Sequence, residues 1–347
     1  MAISRLQQTV GSSVQSSLFW LLYSTLLVAM IGLRHEVGGD WYNDWEAITG
    51  VRWSGANVLL ADAITKSDIA YSLLIWMVNE VGLDVYTLDV LSAIPFVWGL
   101  LEFCRAQPRP WLALVVAVPY LVTVVAMGYT RQSVAIGFAM FGLVALSRGG
   151  IFRFVLWLAL ASVFHKSAII LLPLAILSDT KHKLFSLLWV SATTLVLYVL
   201  ILSETVGGLL TNYFGSQYES QGAGIRVAMN ALPAVLFLCF RSRFVMAQRD
   251  KKFWTWMSLG ALVFVGLLAI SPSSTAVDRV ALYWIPLQLF VLSRLPNALG
   301  QSHGRNPIWV FAVVAYSAMV HFVWLVFADT AFAWLPYQFY PWFWLWS

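Results

Sequence analysis

LFWLLYSTLLVAMIGL, residues 18–33, followed at once by RHEVGGDWYNDW, residues 34–45, is the stretch that decides how this chain folds. The first half is an apolar run close to the length that crosses a bilayer. The second half crowds Arg34, His35, Glu36, Asp40 and Asp44 among aromatic residues, in a chain of which only 11% is charged. A membrane helix therefore emerges at Arg34 into an unusually polar loop. Such a loop is either an ordinary interfacial segment or one wall of a site.

The rest of the chain repeats the apolar half of that pattern. Hydrophobic residues make up 60% of the 347 and aromatic residues 15%, far from the average of soluble domains. Backbone polar groups inside lipid must pair within their own segment, so the expected fold is an all-α polytopic membrane protein. Apolar runs fall at residues 18–33, 87–104, 111–129, 133–146, 151–164, 167–177, 184–202, 224–240, 253–270, 280–292 and 308–327, about 11 membrane segments. Several are shorter than a lipid-facing span, so some must be enclosed by other helices. No gap between runs is long enough for a soluble domain, so residues 1–347 read as one integral membrane domain. Arg5, the serines after it and the absence of a small-residue cleavage site make the first run an uncleaved signal anchor. Cys104 and Cys239 stand far apart at the ends of apolar runs and suggest neither a disulfide nor a metal cluster.

Residues 34–82 form the first extracytoplasmic loop in this reading. Within it, Ile69, Leu73, Trp76 and Met77 recur at helical spacing while Asp68, Ser72 and Asn79 fall on another face. That pattern predicts an amphipathic helix at the interface over residues 67–81.

Orientation follows from the basic residues, which cytoplasmic loops retain. The eleven-segment arrangement places 14 of the 21 Lys and Arg on one side and 13 of the 16 Asp and Glu on the other. The N-terminus is thereby cytoplasmic and the acidic face extracytoplasmic. The net charge of +5 is a feature of this membrane dipole, not of a nucleic-acid surface. The arrangement requires a break at His165-Lys166, because one continuous helix over 151–177 would turn the basic stretch 241–252 outward.

The same arrangement brings Arg34, Asp40, Asp68, Arg131, His165, Arg226, Asp278 and Arg279 to one outer face from six places along the chain. Ionisable residues near the membrane are costly unless they pair or serve a function. Each also has a plain structural reading. Arg34 and Arg226 suit snorkelling anchors, and Asp40 and Asp44 suit a solvated loop or an acidic metal-binding pair. Asp68 suits a helix start, His165 an interhelical hydrogen bond, and Asp278-Arg279 a local ion pair. Their convergence is what argues for a site.

The chain carries neither a phosphate-binding loop nor a dinucleotide fingerprint. Chemistry on an outer face needs a substrate that arrives activated, and a lipid-linked phosphate or pyrophosphate sugar meets that need. Arginine forks bind phosphate oxygens bidentately and stay charged in a low dielectric.

The order of Arg34-x-x-x-Gly38-x-Asp40 with Tyr42, then Asp68-x-x-Tyr71, Arg131-Gln132, His165-Lys166-Ser167 with Pro173, and a late Pro336-Tyr337 resembles the EpsG-like group of Wzy-type polysaccharide polymerases. The resemblance runs from Arg34 to Tyr337 and rests on the order of short motifs. It implies a GT-C-like helical architecture and an inverting glycosyltransferase with no cofactor and no metal. It places the enzyme in the bacterial inner membrane with a periplasmic active face. The implied partners are undecaprenyl-pyrophosphate-linked oligosaccharide donor and acceptor, the lipid bilayer, a chain-length regulator and a flippase.

On that resemblance, Arg34, Arg131, Arg226 and Arg279 are expected to bind pyrophosphate, and His165 or Asp40 to act as the base, with His165 slightly preferred. Tyr42, Trp45, Asp68, Tyr71, Gln132, Lys166, Asp278 and Tyr337 are expected to contact or orient sugar. Three other classes fit the composition: a polyprenyl-phosphate-sugar glycosyltransferase using Asp40 and Asp44 with a metal, a membrane sugar O-acyltransferase, and a flippase or transporter.

Overall fold

The computed structural model describes residues 2–54, 68–174, 188, 191–192, 222–271, 274–301 and 304–342, and among them every regular element is helical. The expected segment at 184–202 lies almost wholly outside the described residues, as does part of that at 167–177. Helix α1 (Ala2–Gly32) leads into the polar loop, which is followed by α2 (Trp41–Ser54) and α3 (Ile69–Glu80). Then come α4 (Val85–Arg105), α5 (Pro110–Ala117), α6 (Thr130–Ser147) and α7 (Ile151–Phe164). After residue 221 the chain continues as α8 (Ala223–Cys239), α9 (Gln248–Ile270), α10 (Ser274–Ala281), α11 (Ile285–Leu299) and α12 (Pro307–Phe327).

Four of these, α4, α6, α9 and α12, are long and apolar enough to cross a membrane by themselves. Shorter apolar helices supplement them at Ser17–Gly32, Ile69–Glu80, Pro110–Ala126, Ile151–Phe164 and Ala223–Cys239. The expected single segment at 111–129 is α5 continued by a π-helical stretch, Val118–Ala126. Its cause is local: Pro119 offers no N–H, and Thr123 Oγ1 donates to the Val118 carbonyl at 2.9 Å. The segment at 280–292 is likewise composite, a 3-10 turn at Leu282–Trp284 leading into α11.

The core is built on α4 and α6. Gly99 of α4 faces Gly137 of α6, and a Cβ on Gly137 would lie 2.6 Å from Phe96 Cα. The two backbones touch where any larger residue would hold them apart. Helix α1 packs on the other side of α4, α7 covers α6, and α11 lies between α5 and α8. The outer faces of α9 and α12 carry exposed apolar side chains such as Val263, Phe311, Met319 and Phe322, as lipid contact requires.

The chain breaks at His165, whose extended backbone (φ −154°, ψ 111°) ends α7 before the 3-10 turn Lys166–Leu171. Helix α3 forms where an amphipathic helix was expected, and its inward face is Tyr71, Ile75 and Val78, with Leu73 and Met77 exposed. Helix α2 occupies sequence expected to be loop.

Polar residues segregate to the two ends of the bundle. At one end Arg148 pairs with Glu102 (3.8 Å), Arg294 bonds Gln107, and Arg109 donates to Asn297 Oδ1 (2.9 and 3.0 Å) and the Gly304 carbonyl (2.7 Å). At the other end lie the loop after α1, the starts of α3, α4, α6, α8 and α10, and the break at His165. A returning segment completes it: His35 N–H donates to Gln338 O (3.0 Å), Gly38 N–H to Ala333 O (2.7 Å), and Tyr340 N–H to Leu33 O (2.8 Å).

Candidate functional site

The site is assembled on a buried strut. Arg34 is wholly enclosed, and its guanidinium donates to Asp89 Oδ1 (3.0 Å), Thr130 Oγ1 (3.1 Å), Val37 O (2.9 Å) and Ile31 O (2.6 Å). One arginine thus joins the end of α1, the loop, α4 and α6. The expectation that Arg34 meets pyrophosphate conflicts with this geometry, because a side chain with no exposure and four protein acceptors presents nothing to a ligand. It is not a snorkelling anchor either.

Asp40 sits above the strut at the end of the loop. Its Oδ2 accepts from Thr130 N–H at 3.1 Å, which fixes it over the N-terminus of α6. Partial burial raises its pKa, opposed by the charges of Arg131, Arg279 and Arg34. Asp44, one turn into α2 and buried, faces the Tyr71 hydroxyl and has its pKa pushed up to about 6 by burial and by Asp40.

Asp68 flanks the start of α3 with a left-handed backbone (φ 77°, ψ 50°), uncommon for a non-glycine residue. It makes no side-chain cap bond. Instead its Oδ2 accepts from Arg131 Nη1 at 3.3 Å, while Oδ1 is buried with no hydrogen-bond partner. The helix-start reading fails to account for a carboxylate turned away from its own helix. Arg131 is the accessible member of the pair, its side chain 43% exposed, and it lies 5.9 Å over the Tyr71 ring.

The next wall comes from α10. Arg279 lies 4.2 Å over the ring of Tyr129. Gln132 donates through Nε2 to the Arg279 carbonyl at 2.6 Å, and its buried Oε1 has no partner. Asp278 pairs with Arg226 Nε of α8 at 2.6 Å rather than with its neighbour Arg279.

His165 hydrogen-bonds the buried Tyr283 hydroxyl through Nδ1 at 3.1 Å. Burial, with Arg131, Arg279 and Lys166 nearby, lowers its pKa to about 3. It is therefore a neutral imidazole at neutral pH and a weak base. Lys166 faces Asp68, and burial lowers its pKa also.

The structure thus brings Asp40, Asp44, Asp68, Tyr71, Arg131, Gln132, His165, Lys166 and Arg279 to one place, with the Arg226–Asp278 pair at its border. Tyr42 and Trp45 lie instead on the exposed side of α2. Tyr337 does not join the cluster; its hydroxyl donates to Met30 O at 2.7 Å and ties the returning segment to α1.

Sequence reasoning missed Asp89, Thr130, Tyr129 and Tyr283. Asp89 carried a usable signal, a carboxylate inside an expected membrane segment. The other three are ordinary residues whose roles arise only from packing.

Fold and site together define a helical membrane protein whose buried carboxylates and partly accessible arginines gather at one end of the bundle. Among the described residues no three His, Cys, Asp or Glu side chains form a group suited to a metal ion. The chain belongs to the EpsG family, whose match spans residues 17–339. That membership points to a membrane protein of polysaccharide biosynthesis. Neither a curated protein nor a solved structure matches the chain.

Proposed function

We propose that this chain is a polysaccharide polymerase, an inverting glycosyltransferase that joins oligosaccharide units carried on undecaprenyl pyrophosphate at the outer face of a bacterial inner membrane. The observation that carries the proposal is the gathering of partly accessible cations, Arg131 and Arg279, about Asp40, a half-buried carboxylate of raised pKa, at one end of the bundle.

In this reading the acceptor hydroxyl attacks the anomeric carbon of the donor sugar. The bond from that carbon to the pyrophosphate oxygen breaks, the electron pair leaves with the lipid pyrophosphate, and the hydroxyl proton passes to Asp40. Arg131 and Arg279 stabilise the charge developing on the leaving group. Asp68 holds Arg131 in place, and Arg34 holds the loop that carries Asp40. The preference for His165 as base yields to Asp40, because an imidazole with a pKa near 3 is a poor proton acceptor. His165 then positions Tyr283 and accepts or donates to sugar hydroxyls as a neutral group.

A lipid-linked substrate is also supported by an apolar cleft of about 460 Å³ between α8 and α12, lined by Ile225, Met229 and Leu232 on one side and Val320, Val323 and Phe327 on the other, with Arg226 in its wall. An isoprenoid chain suits that lining. A chain-length regulator and a flippase belong to the same proposal as neighbours in the membrane.

The test uses purified full-length protein in detergent with a synthetic lipid-linked repeat unit. Products longer than one unit, unaffected by chelator, are the expected result. A deletion strain whose surface glycan keeps its length and loses only decoration would overturn the reading in favour of an acyltransferase.

A further inference from the structure

A second cavity, of about 320 Å³, lies at the same end of the molecule between the loop after α1, the exposed side of α2 and the start of α4. It falls at the small end of the range of ligand pockets. Its walls include Glu36, Trp41, Tyr42, Trp45, Asp84 and Tyr86. Tyr42 and Trp45 leave about half of their surface open, at 53% and 46%.

The opposite wall is held rigid. The Tyr86 hydroxyl meets His35 Nδ1 at 2.6 Å, and Tyr340 of the returning segment stacks on the Tyr86 ring at 3.7 Å. Glu36 has a positive φ of 53°, a costly backbone for a non-glycine residue. Trp41 is 4% exposed, and its indole Nε1–H is buried with no acceptor.

We propose that this cavity is a subsite for one uncharged sugar ring of the acceptor glycan. The open aromatic faces of Tyr42 and Trp45 stack on the C–H face of a pyranose, and the carboxylates of Glu36 and Asp84 accept from its hydroxyls. Asp84 Oδ1 already caps α4 at Thr87 N–H (3.1 Å), so Glu36 is the principal acceptor. The two carboxylates repel uronic acids and other anionic sugars. An aromatic belt at the membrane interface accounts for exposed Trp and Tyr. It accounts for neither the cavity beside them nor the carboxylate of Glu36 in its wall. The assignment to the acceptor rests on the polymerase reading; the sugar subsite itself does not.

The experiment is saturation-transfer NMR on the full-length protein in detergent, with methyl β-glucopyranoside, methyl N-acetyl-β-glucosaminide and methyl β-glucuronide as probes. The two uncharged glycosides are expected to receive saturation and the glucuronide none. Trp45→Ala, Tyr42→Ala and Glu36→Gln should each reduce the transfer at least twofold, and Trp45 is exposed enough that its replacement leaves the fold intact. Transfer that survives all three substitutions, equal transfer to the glucuronide, or none to either uncharged glycoside overturns the proposal. A polymerisation assay separates the two readings. A chain that binds uncharged glycosides and does not polymerise keeps the subsite and loses the polymerase. One that polymerises with an acceptor KM unmoved by Trp45→Ala keeps the polymerase and loses the acceptor subsite.

Discussion

Arg34 and Asp89, 55 residues apart, meet at 3.0 Å with both side chains entirely removed from solvent. Breaking a buried pair on one side leaves an uncompensated charge, at a cost of about 3–5 kcal/mol. Arg34→Ala and Asp89→Ala should each lower the melting temperature in detergent sharply and reduce the yield of folded protein. Arg34→Lys should recover little, because an ammonium cannot serve acceptors arranged around a planar fork. Joint replacement by apolar residues should be milder than either single change, and a double mutant as damaged as both singles combined would argue against a paired strut.

Arg131 should matter to rate more than to stability. Its side chain is partly exposed, and its removal should cost less folding energy than breaking the fully buried Arg34–Asp89 pair, although it strands the buried Asp68 carboxylate. If it stabilises a leaving pyrophosphate, Arg131→Ala should reduce kcat by about 10²–10³. Arg131→Lys should restore part of the activity as a point charge. A wild-type kcat in Arg131→Ala would remove it from the mechanism.

The pH profile should separate Asp40 from His165. Asp40 has a raised pKa and must be ionised to accept a proton, so activity should fall as pH drops through its pKa. His165, held near 3, stays neutral across the working range. His165→Gln should therefore leave the acidic limb where it is, whereas Asp40→Asn should reduce kcat at least a hundredfold. A limb that vanishes in His165→Gln would return the base to histidine.

Asp44 predicts a pH-dependent stability. Its folded pKa of about 6 lies above its unfolded value near 3.9, so the folded state binds its proton more tightly. The associated stability is complete below about pH 4 and is lost as pH rises through about 6. Asp44→Asn should therefore stabilise the protein at pH 7, by at most about 3 kcal/mol, with the gain shrinking towards zero at pH 4. Melting curves of the two proteins across that interval measure it, and a gain independent of pH would contradict the assignment.

Much of this fold is legible from hydropathy alone, because lipid leaves few options for a backbone: the apolar runs that fall among the described residues are helical, and the chain breaks at His165 where a break was expected. Helix α2 is less legible. Its residues Trp41, Asp44 and Ile48 pack inward while Tyr42 and Trp45 face out, a mixture with no clear apolar stripe. The residues of this polar end were readable as a group through charge and spacing, but not who partners whom. Arg34 with Asp89, Arg131 with Asp68 and Arg226 with Asp278 are contacts across more than 50 residues. Local pattern carries no information on such pairs. The same charge that marks a binding residue also marks a strut, and only burial tells Arg34 from Arg131.

The returning segment at residues 333–340 has a consequence for how the molecule is made. The Leu33 carbonyl and the His35 and Gly38 N–H groups find their partners in that late stretch of chain. The loop bearing Asp40 leaves the ribosome well before residue 333, and its final shape waits until nearly 300 further residues have been made. Completion of this loop thus depends on chain made much later, and a chain cut short before residue 333 would lack the backbone partners that shape it.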